Sequence, residues 1–356
     1  MNSSTSNFNW KDYWRRFLKV AACASALIFA LILFVDPYDT LFFSPSLDRA
    51  PMATNQRFSY PVLARNPKFD SAVIGSSSVR LFRPELLNKL FDAHFVNLAA
   101  NATRPYEQYR FLKLFSKHHP DPKVILFGID IKNNDMWCLT DKVEQFTDRE
   151  FPEWMFDDNE WNDALYHFNA KALEITGRQV AQLAGFMKPR FGPDGFDDFT
   201  SGNEYDLKKA RKNIYGQEEP KEKPPSPKKP ELSAEDRKNL NFPALVYLED
   251  MLNLLPSETI KILHFVPRHW YVQPQRNTKD AIILDECKAR IRKITNKYEN
   301  THIFDFMMKS PITVKDTNYW DDIHHNIKIA DDIIKMEADQ VLMNKMKNGY
   351  YLYYQK

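Results

Sequence analysis

Residues 17–35 are almost wholly apolar, interrupted only by Lys19 and Ser25. A run of that length is at the short end for a membrane-spanning helix. After it the chain changes character. Short, largely apolar runs alternate with stretches in which apolar residues recur every three or four positions. The first pattern predicts strands buried on both faces and the second predicts amphipathic helices. Strands are expected at 71–74, 95–99, 123–129 (Lys-Val-Ile-Leu-Phe-Gly-Ile), 260–266 and 301–306. Helices are expected at 84–91, 105–117, 242–255, 280–298 and 327–346. Strands alternating with helices imply one parallel sheet covered on both faces, an α/β sandwich of three layers with five parallel strands.

The alternation breaks once. Residues 131–241 read as an insertion, with one helical run near 164–186. Within it, 217–236 is rich in Glu, Lys and Pro and predicts a mobile loop. The expected organisation is therefore a cytoplasmic tail (1–16), an anchor (17–35), a juxtamembrane segment (36–68), the α/β domain (69–346) and a Tyr-rich tail (347–356).

Charge orients the anchor. Lys11, Arg15, Arg16 and Lys19 lie on its amino side and Asp36 and Asp39 on the other. By the positive-inside bias the amino terminus stays in the cytoplasm and the domain is exported. The expected location is a single-pass inner (plasma) membrane protein with its domain extracytoplasmic or periplasmic. A cleaved signal peptide is the competing reading, but no Ala-x-Ala site follows the apolar run. Net charge is +2, which gives no electrostatic case for nucleic acid. Of the three cysteines, Cys23 falls in the anchor, leaving Cys138 and Cys287 where a disulfide is permitted. Neither has a metal-site spacing, and no phosphate loop occurs, so no metal or cofactor is expected.

Two stretches carry candidate chemistry. Gly75-Ser76-Ser77-Ser78 follows the first strand, at the sheet edge where open α/β folds bind ligands. Tyr319-Trp320-Asp321-Asp322-Ile323-His324-His325-Asn326 lies between the last strand and last helix. Asp321 and His324 are spaced to share a face on a helical turn, where a carboxylate can hold an imidazole in one tautomer for a serine. Asp322 and His325 have the same spacing, so the register has two readings. As helix caps, all these residues would have a purely structural role.

With these motifs the chain resembles the SGNH/GDSL hydrolase superfamily, over the exported domain apart from the insertion. The resemblance implies Ser77 as nucleophile, His324 as base and Asp321 as its orienter. Asn97 to Thr103 matches the second block, with Ala102 where a glycine N–H would line the oxyanion hole. In the third block Asp130 stands where the family has an asparagine donor, and Asn101, Asn133 or Asn134 could substitute. More narrowly, the chain is similar to membrane-anchored SGNH-like envelope proteins, in the style of the D-alanyl-lipoteichoic acid transfer protein. That implies an acyl-ester substrate on an envelope polysaccharide or related polymer. It also implies a membrane-bound O-acyltransferase as partner. The departures at Ala102 and Asp130 carry the alternative, a catalytically degenerate domain that binds polysaccharide or such a partner. Arg80 is placed to meet Asp130 or an anionic substrate, and His269 to reach the same sheet edge. The Trp residues at 137, 154, 161, 270 and 320 are candidates for stacking on sugar rings, or for the core.

Overall fold

The computed structural model describes residues 9–41, 50–131, 136–159, 161–200 and 204–356. Asn133 and Asn134 lie outside the described residues. In chain order the elements are α1 (Trp10–Val35), α2 (Gln56–Arg65), β1 (Ser71–Ile74), α3 (Pro84–Phe91), β2 (Phe95–Asn97), α4 (Pro105–His118) and β3 (Val124–Ile129). Then come α5 (Ala170–Leu183), α6 (Leu207–Tyr215), α7 (Ala234–Asn239), α8 (Leu245–Asn253), β4 (Ile260–Phe265), α9 (Lys279–Thr295), β5 (Thr301–Asp305), α10 (Ile327–Met343) and β6 (Leu352–Gln355).

The strands form one sheet in the order β2-β1-β3-β4-β5-β6. The first five are parallel, and their register aligns Ile74 with Phe127, Phe127 with Leu263 and Leu263 with Ile303. Alternate residues feed two separate cores. Ala72, Ile74, Ile125 and Phe127 pack in one, and Val73, Val124, Leu126 and Phe304 in the other. Helices α2, α4, α8 and α9 contribute to the first core, α3 and α10 to the second. Strands covered on both sides have no solvent face, hence the apolar runs of β1 and β3, while the polar Lys261, His264, His302 and Asp305 of β4 and β5 are buried with hydrogen-bond partners.

Two expectations need correction. The Tyr-rich tail is not a tail beyond the sheet: β6 adds a sixth strand, antiparallel to β5, with Tyr351 buried against Phe304 and Phe306. Segment 36–68 packs along the domain, with most of α2 buried. Inside α2, Arg57 is fully buried and its Nε donates to Glu107 Oε1 of α4 at 2.7 Å. The helical run expected at 164–186 is shorter, beginning at α5 after a tight turn over Asp163–His167. In the 217–236 stretch, Lys223 Nζ donates to the Trp270 and Gln273 carbonyls at 2.7 and 2.5 Å, and Asn277 Nδ2 to the Pro227 carbonyl at 2.8 Å.

Cys138 and Cys287 are joined as a disulfide, which ties the insertion to α9. The insertion also covers the open edge of β2, where the Asn97 N–H donates to the Asp194 carbonyl at 2.8 Å. The chain leaves β1 towards β2 on one side and returns to β3 on the other. Such a reversal opens a crevice at the carboxyl ends of the two strands.

Candidate functional site

Ser77 opens a single tight turn, Ser77–Val79, directly after β1. Two glycines make room for it. A Cβ on Gly75 would lie 2.6 Å from the Val79 side chain, and one on Gly128 of β3 would lie 2.7 Å from it. Val79 thus seats the turn against both strands. Asn97, at the end of β2, fixes the other side: its Nδ2 donates to the carbonyls of Arg80 and Phe82 at 3.1 and 2.9 Å.

The loop before α10 brings the remaining parts. Ser77 Oγ lies 2.8 Å from His324 Nε2, and His324 Nδ1 lies 2.7 Å from Asp321 Oδ2. The Asp321–His324 segment is a loop, not the helical turn expected. Asp321 Oδ1 accepts the backbone N–H groups of Ile323 and His324 at 2.9 and 2.8 Å, so its own carboxylate folds the loop around it. Burial works to raise the Asp321 carboxyl, but hydrogen bonds from the His324 ring and these two N–H groups outweigh it and hold it at about 2. An ionised carboxylate on Nδ1 leaves Nε2 as the free base towards Ser77, so the arrangement can take a proton from that hydroxyl.

The other register is otherwise engaged. Asp322 pairs with Arg268 at 2.5 Å. His325 is buried near Phe82, and burial drives its ring down to about 3, so it stays neutral.

Asp130 sits beneath the turn, buried, in a close hydrogen bond with Ser76. Burial pushes its carboxyl upward, against the Ser76 and Ser78 hydrogen bonds, which shifts it towards the neutral form. Ala102 adopts φ +53°, the left-handed region where glycine is favoured. Its loop is pinned beside the serine turn: the Ala100 N–H and Thr103 Oγ1 both donate to the Gly75 carbonyl, at 3.1 and 2.8 Å. Gln56 and Arg57 of α2 hold the same loop, accepting the Asn101 N–H at 3.1 Å and donating to its carbonyl at 3.2 Å.

Arg80 does not reach Asp130. It is buried and bonded to Asn101 Oδ1 and Asp197. A guanidinium only donates, so Asn101 turns its amide NH2 away from Arg80. Phe199 lies under the Arg80 guanidinium at 4.6 Å and meets the His324 ring edge-on at 5.7 Å. Asp197 and Phe199 come from the insertion, and nothing in their spacing pointed here. His269 is also taken up elsewhere: its Nε2 lies 3.1 Å from Asp316 Oδ1, and its N–H donates to the Asp322 carbonyl at 3.0 Å. It braces the loop that carries His324. Of the tryptophans, Trp137 is core, Trp154 stacks on Tyr166 and Trp270 lies under Lys223. Trp161 is exposed on the surface.

Trp320 lines a cavity of about 320 Å³ beside Asp321, with Phe199, Glu204, Lys209 and Asn213. A larger one, about 530 Å³, opens at the amino ends of β3 and β4 between Lys123 and Glu258, at the opposite edge of the sheet. Among the described residues no group of three or more His, Cys, Asp or Glu side chains could hold a metal ion.

The class defined by fold and site is thus a mostly parallel α/β protein with a Ser-His-Asp relay at the carboxyl edge of its sheet. Compared with known proteins, the chain matches no family model, and no curated protein matches it in sequence.

Proposed function

We propose that the chain is a membrane-anchored serine esterase or O-acyltransferase of SGNH type, acting outside the cytoplasm on acyl esters of an envelope polysaccharide or related polymer. The observation that carries this reading is the continuous relay from Ser77 Oγ through His324 to Asp321, at 2.8 and 2.7 Å. Ser77 Oγ attacks the ester carbonyl as His324 Nε2 takes its proton. The tetrahedral oxyanion forms between the backbone N–H groups of Ser77 and Ala102, with the Asn101 amide as a third donor. It collapses, the C–O bond to the leaving alcohol breaks, and His324 returns the proton to that alcohol. The acyl group on Ser77 then passes to water or to a sugar hydroxyl by the same steps reversed. The cavity beside Asp321, lined by Trp320, Lys209 and Asn213, suits a hydroxyl-rich acceptor.

Location is supported by two features. Helix α1 is long and apolar enough to cross a membrane, with its basic residues on the amino side. The Cys138–Cys287 disulfide suits an oxidising compartment. A second reading, a degenerate domain that binds polymer or an acyltransferase partner, is favoured by one observation: Asp130 replaces an oxyanion donor and turns to Ser76 instead.

The test is turnover of a small acetyl ester by the full chain in detergent, with mass analysis of the Ser77 peptide. Wild type is expected to carry an acyl group there and Ser77→Ala to lose both acylation and turnover. Equal turnover by a folded Ser77→Ala variant would remove the relay from the mechanism.

A further inference from the structure

The insertion carries a helix face that the chemistry above does not use. Helix α5 packs against α1 where α1 leaves its apolar run. The contact is specific: Phe168, just before α5, meets Phe29 edge-on at 4.7 Å, and His167 Nε2 lies 2.9 Å from Asp36 Oδ1 with both side chains buried. Phe29 is six residues before the end of α1, which places this contact about 9 Å inside that end.

Positions on α5 fall on three faces. Ala172, Ile175, Thr176 and Gln179 are buried. Lys171, Glu174 and Arg178 form a charged edge, with Glu174 bridging the two cations at 3.2 Å. Between these faces runs an exposed apolar arc of Leu173, Val180 and Leu183, followed just beyond the end of α5 by Phe186, at 88% exposure, and Met187. Leu183 is 57% exposed. A soluble face seldom leaves such a contiguous patch bare.

We infer that this arc is a second membrane contact, lying in the outer interfacial layer of the bilayer that α1 crosses. Two features select lipid as its occupant. The arc lies on the helix that packs against α1, whose own exposed side chains include Leu27 and Phe34. It is also flanked by a charged edge and by Lys188 and Arg190, the pattern of helices that lie at an interface and sink about 5–10 Å into it. The depth set by Phe29 and Phe168 falls in that range. Attachment at two places stops the domain from swivelling about a single tether and fixes its active edge relative to the membrane.

The experiment uses the full chain in nanodiscs of phosphatidylethanolamine and phosphatidylglycerol. Nitroxides are placed at Leu183→Cys and Phe186→Cys in a Cys23→Ser background, with mass analysis confirming the native disulfide. Leu27→Cys serves as the control for the anchor and Val246→Cys, at an exposed position of α8, as the control for water. Collisions with oxygen relative to a water-soluble nickel chelate are expected to be several-fold higher at 183 and 186 than at 246, approaching the value at 27. Chelate access at 183 and 186 equal to that at 246, with 27 protected, overturns the proposal while sparing the anchor. Poor access of both reagents at 183 and 186 also overturns it and points to a protein surface, such as a second copy of this chain. A label at 27 open to the chelate removes the membrane premise itself, and the proposal with it.

Discussion

Replacing Asp321 by Asn should be far more damaging than its small change in shape implies. Asp321 Oδ1 accepts two backbone N–H groups, from Ile323 and His324. In the variant those donors still require an oxygen, so the amide oxygen stays with them and its NH2 turns towards His324 Nδ1. That nitrogen must then accept, which moves the ring proton to Nε2, facing Ser77 Oγ. The base is lost although every heavy atom stays in place. Restoring the working tautomer would set two donors against each other, at about 1–3 kcal/mol. Loss of the carboxylate beside the imidazolium removes about 1.5–3 kcal/mol more. At 1.36 kcal/mol per decade the combined effect is roughly 10²- to 10⁴-fold in kcat. The same exchange in a Ser-His-Asp triad lies at the upper end, about 10⁴. The assay is the acylation rate of Ser77 with an activated ester, with a thermal melt to show that the variant is folded. Acylation within about tenfold of wild type would refute the tautomer argument, since a base that survives this change does not depend on Asp321.

Other outcomes follow from the same geometry. Asp322→Asn should leave acylation within a few-fold of wild type, because its partner is Arg268 and not the relay; a loss matching that of Asp321→Asn would reverse the register. The Asp321 carboxyl is depressed from 3.8 to about 2, so its contribution to stability is complete above 3.8 and is lost as pH falls towards 2. Melts from pH 5 to 2 should therefore show a steeper acid decline for wild type than for Asp321→Asn. Gly128→Ala should destabilise by about 1–3 kcal/mol through its clash with Val79 and slow acylation by displacing the serine turn; denaturant melts and labelling check the two effects. Serine at both Cys138 and Cys287 should cost about 2–5 kcal/mol, read as a lower denaturation midpoint.

The five parallel strands were legible because each is buried on both faces and so is short and largely apolar, most clearly in β1 and β3, with only scattered polar residues such as Lys261 and His302 in β4 and β5. The serine turn and the Asp321–His324 pair were legible because glycine, hydroxyl and carboxylate chemistry is local. What escaped depends on long-range contact. The sixth strand is only four residues, Leu-Tyr-Tyr-Gln with no fully buried position, and only pairing with β5 makes it a strand. Helix α2 hid its role because its purpose is to clamp Asn101, some 44 residues away through Arg57. Arg80, three residues after Ser77, is expected to meet Asp130 or an anionic substrate, but the insertion supplies Asp197 as its partner in place of Asp130. Phe199 had no signal at all, since an aromatic residue in an irregular segment gives no period. The Asp321 loop was expected as a helical turn because i to i+3 spacing suits one; the carboxylate's own hydrogen bonds to the backbone build a tighter loop with the same reach.

Labelling of the full chain in detergent by a fluorophosphonate probes the activated serine itself. Wild type is expected to react at Ser77, and Ser77→Ala and His324→Ala, both folded by thermal melt, are expected not to. A folded wild type that stays unlabelled would contradict an activated serine and leave a binding domain. Asp130→Asn would then show whether reactivity returns with the missing donor.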